Sequence, residues 1–150
     1  MRRAAAVLLV TAACSPVSTR PAYRPVPQAA QLLLVGDPVA VTRHAAAWIA
    51  AAGVPTVRVS EIDRYIETDW YAPPADSAVA QPFPFRVKTR LWVNPGGAGR
   101  AHAFIETVYR PVEDPSRPPR DRELAVPPDA GADLLARRLT AAIREKFEAL

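Results

Sequence analysis

The sequence is short of the residues that most often carry chemistry. It holds one cysteine, Cys14, and two histidines, His44 and His102. One cysteine excludes an intramolecular disulfide, so the fold has no covalent staple. Two histidines fall short of the three or four ligands of a zinc site. No Gly-x-Ser-x-Gly elbow is present to seat a nucleophile. The glycine-rich NPGGAG at 94–99 joins two strand-like segments, whereas a phosphate cradle precedes a helix. No run reaches the eighteen or more apolar residues of a spanning helix. No metal or cofactor is expected, and both histidines are read as structural or surface residues.

What is present begins with an export address. In MRRAAAVLLVTAAC, Arg2 and Arg3 form a charged start, Ala4 to Val10 a short apolar core, and Ala12-Ala13 a small-residue cleavage zone. Seven apolar residues in a helix reach only about 10 Å, against a bilayer core of roughly 30 Å. The cysteine directly after the small residues resembles the bacterial lipoprotein signal. In that family the chain is cut before the cysteine, between positions equivalent to Ala13 and Cys14, and the cysteine carries the fatty-acyl (palmitate-type) anchor. Ser15 stands where an aspartate would mark inner-membrane retention, so the expected place is the outer membrane, facing the periplasm.

The charge balance excludes a nucleic-acid partner. The formal net charge of +4 falls to 17 − 15 = +2 once residues 1–13, with two arginines and no acid, are removed. The seventeen prolines are unevenly placed. Four lie in 15–30, so Cys14 and the residues to 30 are expected as a lipidated, solvated tether. Six more lie in 111–128, expected as an irregular loop.

A single domain is expected over 31–150. LLLV at 32–35 is a short strand. Asp37 and Pro38 are a cap and first-turn pair for a helix closing at Gly53, with Val41, Ala45, Trp48 and Ala52 as its apolar stripe. Val57 and Val59 alternate with Arg58 and Ser60. Ile66, Thr68 and Trp70 alternate with Glu67, Asp69 and Tyr71. The clearest alternation sets Phe83, Phe85, Val87, Thr89, Leu91 and Val93 against Arg86, Lys88 and Arg90, and RAHAFIETVYR at 100–110 is its returning hairpin strand. A last helix over roughly 130–149 stacks Leu135, Leu139, Ile143 and Phe147. This order gives an α+β fold: an antiparallel sheet of three to five strands with two helices on one face.

Two acidic segments, YIETDWY and FIETVYR, invite a catalytic reading. Glu67 and Asp69, two apart on a strand, would stand about 7 Å apart on one face. That suits a glycosidase pair only inside a cleft that raises one pKa. With Ile66 and Trp70 as core residues, Glu67 and Asp69 fall on the opposite face, beside Arg86, Lys88, Arg90 and Glu106. A solvated polar ladder is expected there, with a partner-facing surface of Glu67, Asp69, Arg86, Lys88 and Arg90 as the alternative. No enzymatic role is expected.

Over residues 37–110 the pattern resembles the helix-grip domains of BamC-like lipoproteins, accessories of the machinery that assembles outer-membrane β-barrels. The residues that carry the likeness are the helix ending at Gly53, Asp63, the Ile66-Glu67-Thr68-Asp69-Trp70 core and the basic strand Phe85–Val93. The resemblance implies an envelope lipoprotein acting as a scaffold on other envelope proteins, with YIETDWY as a fold-determining strand. It also leaves open a periplasmic module holding a lipid or other amphiphile in a groove lined by Trp48, Trp70 and Trp92.

Overall fold

The computed structural model describes residues 18–73 and 83–147. The expected signal segment, residues 1–13, and Cys14 lie outside these residues. Six strands and two helices appear in the order β1 (Ala30–Val35), α1 (Pro38–Ala51), β2 (Thr56–Ser60), β3 (Tyr65–Thr68), β4 (Val87–Gly97), β5 (Arg100–Tyr109), β6 (Leu124–Ala125) and α2 (Leu134–Lys146). One antiparallel sheet runs β1-β5-β4-β3-β2, with β6 beside the end of β5. The α+β class is as expected, with one strand more than the upper count because 124–125, inside the proline-rich loop, pairs with Val108 and Tyr109.

Helix α1 starts as its sequence predicts. The Asp37 carboxylate accepts from the Ala40 amide at 3.0 Å, Pro38 sits in the first turn, and Gly53 closes the helix in the left-handed region at φ 71°. Its buried side is Val41, Thr42, Ala45 and Ile49, so the stripe runs straight down a spacing of four. The expected Trp48 lies at the margin, half-buried, and Ala52 is exposed. Helix α2 buries Leu135, Ala136, Leu139 and Ile143. Both helices pack on one sheet face with Leu32, Leu34, Ile66, Leu91, Val93, Ala101, Ala103 and Ile105. The helix side is thus filled by aliphatic residues taken from alternate strand positions, as the pleat requires.

The expected 66–71 strand is corrected. The ladder with β4 is interrupted after Glu67, where the Asp69 amide turns to the Pro55 carbonyl at 2.8 Å, and resumes as a single bridge between Tyr71 and Val87. That break shifts the alternation by one residue. Tyr71, instead of Trp70, enters the helix-side core and bonds Thr89 Oγ1 through its hydroxyl at 2.7 Å. Burial pushes the Tyr71 hydroxyl up to about 12. Trp70 goes to the opposite face.

The 18–28 segment is a second correction. Instead of a solvated tether it is a strap laid along the outer face of the sheet. Ser18 and Thr19 bond to Asp63 in the β2–β3 turn, Arg20 bonds Asn94 on β4, and the Val26 amide reaches Glu106 on β5. Proline-rich chain has few amide donors of its own, so it docks well wherever side chains supply the bonds.

Candidate functional site: a buried charge cluster beneath the strap

The sheet register builds the site. Glu67 on β3, Arg90 on β4 and Glu106 on β5 stand opposite one another across three neighbouring strands, all on the outer face. Tyr65 and Trp92 form the adjacent row. Because antiparallel neighbours share a face, an acid–base–acid row follows directly from this register.

Two segments cover the row. From the 111–128 loop, a short 3-10 turn at Pro119–Arg122 brings Arg120, and Glu123 follows it. From the strap, Tyr23 lays its ring over both guanidinium groups, 5.4 Å from Arg90 and 4.6 Å from Arg120. Its edge meets Trp92 at 6.2 Å between ring centres. Trp92 is completely buried as a result.

Arg90 is the hub. Its guanidinium donates to both oxygens of Glu123, Nη1 to Oε2 at 2.7 Å and Nη2 to Oε1 at 2.8 Å, in the bidentate geometry that suits arginine. Nη1 also donates to Glu106 Oε1 at 2.9 Å. Arg120 grips Glu106 from the other side, at 2.7 and 3.0 Å, and donates to the strap carbonyl of Arg24 at 3.0 Å. The Val26 amide completes the set on Glu106 Oε2 at 2.8 Å. Glu67 accepts from Lys88 Nζ at 2.7 Å and from the Tyr65 hydroxyl at 3.1 Å. Side-chain exposure is 4% for Arg90, 0% for Glu106 and 1% for Glu123. Three carboxylates and four cations (Lys88, Arg90, Arg110, Arg120) are thereby held in or at the edge of the protein interior.

At Glu67, Arg90, Arg120 and Glu123 burial disfavours the charge, and the partners outweigh it. Burial acts to raise the Glu123 and Glu67 pKa values, yet Arg90 and Arg120 around Glu123, and Lys88 and Arg90 around Glu67, bring both below the ordinary range. Burial likewise opposes the Arg90 charge, and bonds to Glu123 and Glu106 carry its pKa upward. Burial raises the Tyr65 hydroxyl well above its usual value, with the neighbouring Glu67 charge acting in the same direction. A general acid needs a carboxyl raised toward neutrality; Glu67 and Glu123 are moved the opposite way.

The expected polar ladder is therefore real in its register but is not solvated. Of the five residues expected at a partner-facing surface, Asp69 and Arg86 are exposed, whereas Lys88 and Arg90 are buried and Glu67 is largely covered. Asp69 and Glu67 do not act together: the Asp69 carboxylate caps the amide of Trp70 at 2.7 Å. Arg86 donates to the Trp70 carbonyl.

No protein-family model matches the chain, and no curated protein matches it.

Trp48, Trp70 and Trp92 do not converge. Trp48 packs among the helices, Trp92 lies beneath Tyr23, and Trp70 lies on the outer face near Lys88 Nζ and the Arg110 guanidinium at 5.2 and 4.5 Å. They line no common groove, because β3 ends before Trp70 and the β4 pleat turns Trp92 away from the helices. His44 packs edge-on to Phe147, and His102 stacks on Phe104. Among the described residues, no helix is long and apolar enough to cross a membrane.

Sequence reasoning missed Tyr23, Arg120 and Glu123. All three come from proline-rich segments with no periodicity. The available signal was the row of unmatched charge: Lys88, Arg90 and Glu106 on strands whose other faces are apolar, with a charged RDRE stretch at 120–123.

Proposed function

We propose that this protein is a lipid-anchored envelope protein, acylated on Cys14 after removal of residues 1–13, in which the α+β domain is a non-enzymatic scaffold or accessory in outer-membrane protein assembly. The observation that carries this reading is the strap. Chain that begins four residues after Cys14 is fastened by side-chain bonds to β2–β3, β4 and β5, so the anchor is coupled to the body of the domain. Of the acidic residues that a hydrolase would use, Glu106 holds the strap and the 111–128 loop, Glu67 is held by Lys88 and Tyr65, and Asp69 caps the Trp70 amide. The resemblance of residues 37–110 to the helix-grip domains of BamC-like lipoproteins supports the same place in the envelope.

The surface left for other envelope proteins is the shallow groove of Trp70, Pro84, Phe85, Arg86 and Arg110, edged by Glu113, with a volume of about 380 Å³. It combines aromatic area with arginine, the pairing most often found at the energetic centre of protein interfaces. Intact mass of the membrane-extracted protein, beside Cys14→Ala, tests the anchor: the expected result is a chain starting at Cys14 with acyl mass that the variant lacks. Crosslinking in intact envelopes from Arg86 tests the scaffold role. Recovery of β-barrel assembly components is expected, and a crosslink profile unchanged from uncrosslinked controls overturns it.

A further inference from the structure

The strap leaves space between itself and the sheet. It is clasped at one end, where Ser18 and Thr19 bond Asp63, and held at the other by the Val26 amide on Glu106. Between these points strap residues 20–27 and the outer face border a cavity of about 480 Å³. Small-molecule sites occupy roughly 300–1,000 Å³.

The sheet register supplies the apolar side of this cavity. Phe104 on β5 stands opposite Trp92 on β4, and Tyr23 of the strap meets Trp92 edge-on, with 74° between the ring planes. His102 stacks on Phe104 at 4.2 Å between ring centres and steadies that ring. Tyr23, Trp92 and Phe104 all line the cavity. Aromatic rings engage a flat aromatic guest through both their faces and their edges.

The polar side is rich in uncommitted donors. Trp92 is completely buried, yet its indole Nε1 has no hydrogen-bond partner among the described residues. A buried donor left unpaired is uncommon and costly. Asn94 accepts from Arg20 at 2.6 Å through its side-chain oxygen, and its amide nitrogen remains a donor. Two arginines, Arg20 and Arg24, line the cavity, and no carboxylate does. The side-chain bond of Arg20 goes to that neutral amide oxygen. Burial and the neighbouring Arg64 charge lower the Arg20 pKa, with Asp63 acting the other way. A guanidinium in this setting gains from an anion brought within reach.

We propose that the cavity between strap and sheet binds a small aromatic carboxylate, its ring against Tyr23 and Phe104 and its carboxylate on Arg20, with Arg24 and the Trp92 and Asn94 donors beside it. The site is separate from the scaffold role and from acylation of Cys14, because every residue it uses belongs to the strap or the sheet.

The test titrates naphthoate into the isotope-labelled full-length protein and follows the tryptophan indole N–H signals by NMR. Trp48→Phe and Trp70→Phe assign the Trp92 signal by elimination. The expected result is a saturable shift of that signal, with naphthoate bound about tenfold more tightly than neutral naphthylmethanol, as one charge-assisted bond would give. Arg20→Gln should abolish this preference. Arg24→Gln, whose side chain makes no hydrogen bond among the described residues, should reduce it several-fold with the strap in place. Exchange protection of the Val26 amide reports that the strap stays closed in each variant. An unshifted Trp92 signal, or equal affinity for the charged and neutral probes, overturns the site. A charge preference that survives in both arginine variants overturns it as well.

Discussion

Replacing Arg90 by methionine tests the buried cluster most directly. Methionine keeps much of the stem's volume, so the loss falls on the guanidinium. Three donor bonds at 2.7–2.9 Å disappear, and Glu123 and Glu106, 1% and 0% exposed at their side chains, lose their central cation. Breaking a buried ion pair from one side typically costs about 3–5 kcal/mol, because the remaining charge stays desolvated. Arg120 still reaches both carboxylates, which places the expected cost toward the lower end, near 3 kcal/mol. For a domain of this size that corresponds to a fall in Tm of about 10 °C. Urea unfolding followed by tryptophan fluorescence measures it, since Trp92 is fully buried beside the cluster. The double replacement Arg90→Met with Glu123→Met removes one stranded charge and should be less damaging than the sum of the two single replacements, with a coupling of about 1–3 kcal/mol. A cost below about 1 kcal/mol for Arg90→Met, the value of an exposed pair, would refute the claim that strap and loop seal this cluster from water.

Other consequences follow from the same contacts. Hydrogen bonds from Thr19, Ser18 and Ser60 hold Asp63 at about 2, below its ordinary range, so the clasp contributes stability above about pH 4 and loses it as pH falls through 2. A carboxyl titration by NMR should show that low value, and Asp63→Asn should abolish protection of the Thr19 amide in hydrogen exchange. Tyr23→Ala should uncover Trp92, shifting its emission to the red and speeding exchange at the Val26 amide while the α1 and α2 amides keep their protection. Leu139→Ala, at a completely buried position between α2 and the sheet, should cost about 2–5 kcal/mol in the same urea assay.

Local chemistry made the helices and the main hairpin legible. Asp37, Pro38 and Gly53 mark α1, and the alternation from Val87 to Val93 marks β4, because caps, turns and pleats are decided within a few residues. The YIETDWY stretch was legible as a strand but not in its frame. Alternation predicts Trp70 inside, whereas the Asp69 amide's bond to Pro55 gives that place to Tyr71. No pattern within the segment encodes a bond to a residue fourteen positions earlier.

By itself, the sequence determined the α+β class, the two amphipathic helices and the basic strand. Each of these depends on periodicity or on neighbouring residues. Tertiary structure alone decided that the polar side of the sheet is an interior. Strand periodicity says that Glu67, Arg90 and Glu106 share a face, but not whether water reaches it. Here Tyr23 arrives from a segment that reads as a tether, and Arg120 with Glu123 arrives from one that reads as a loop. Proline-rich chain lacks the periodicity that announces burial, so its place is set by the partners it meets across the fold.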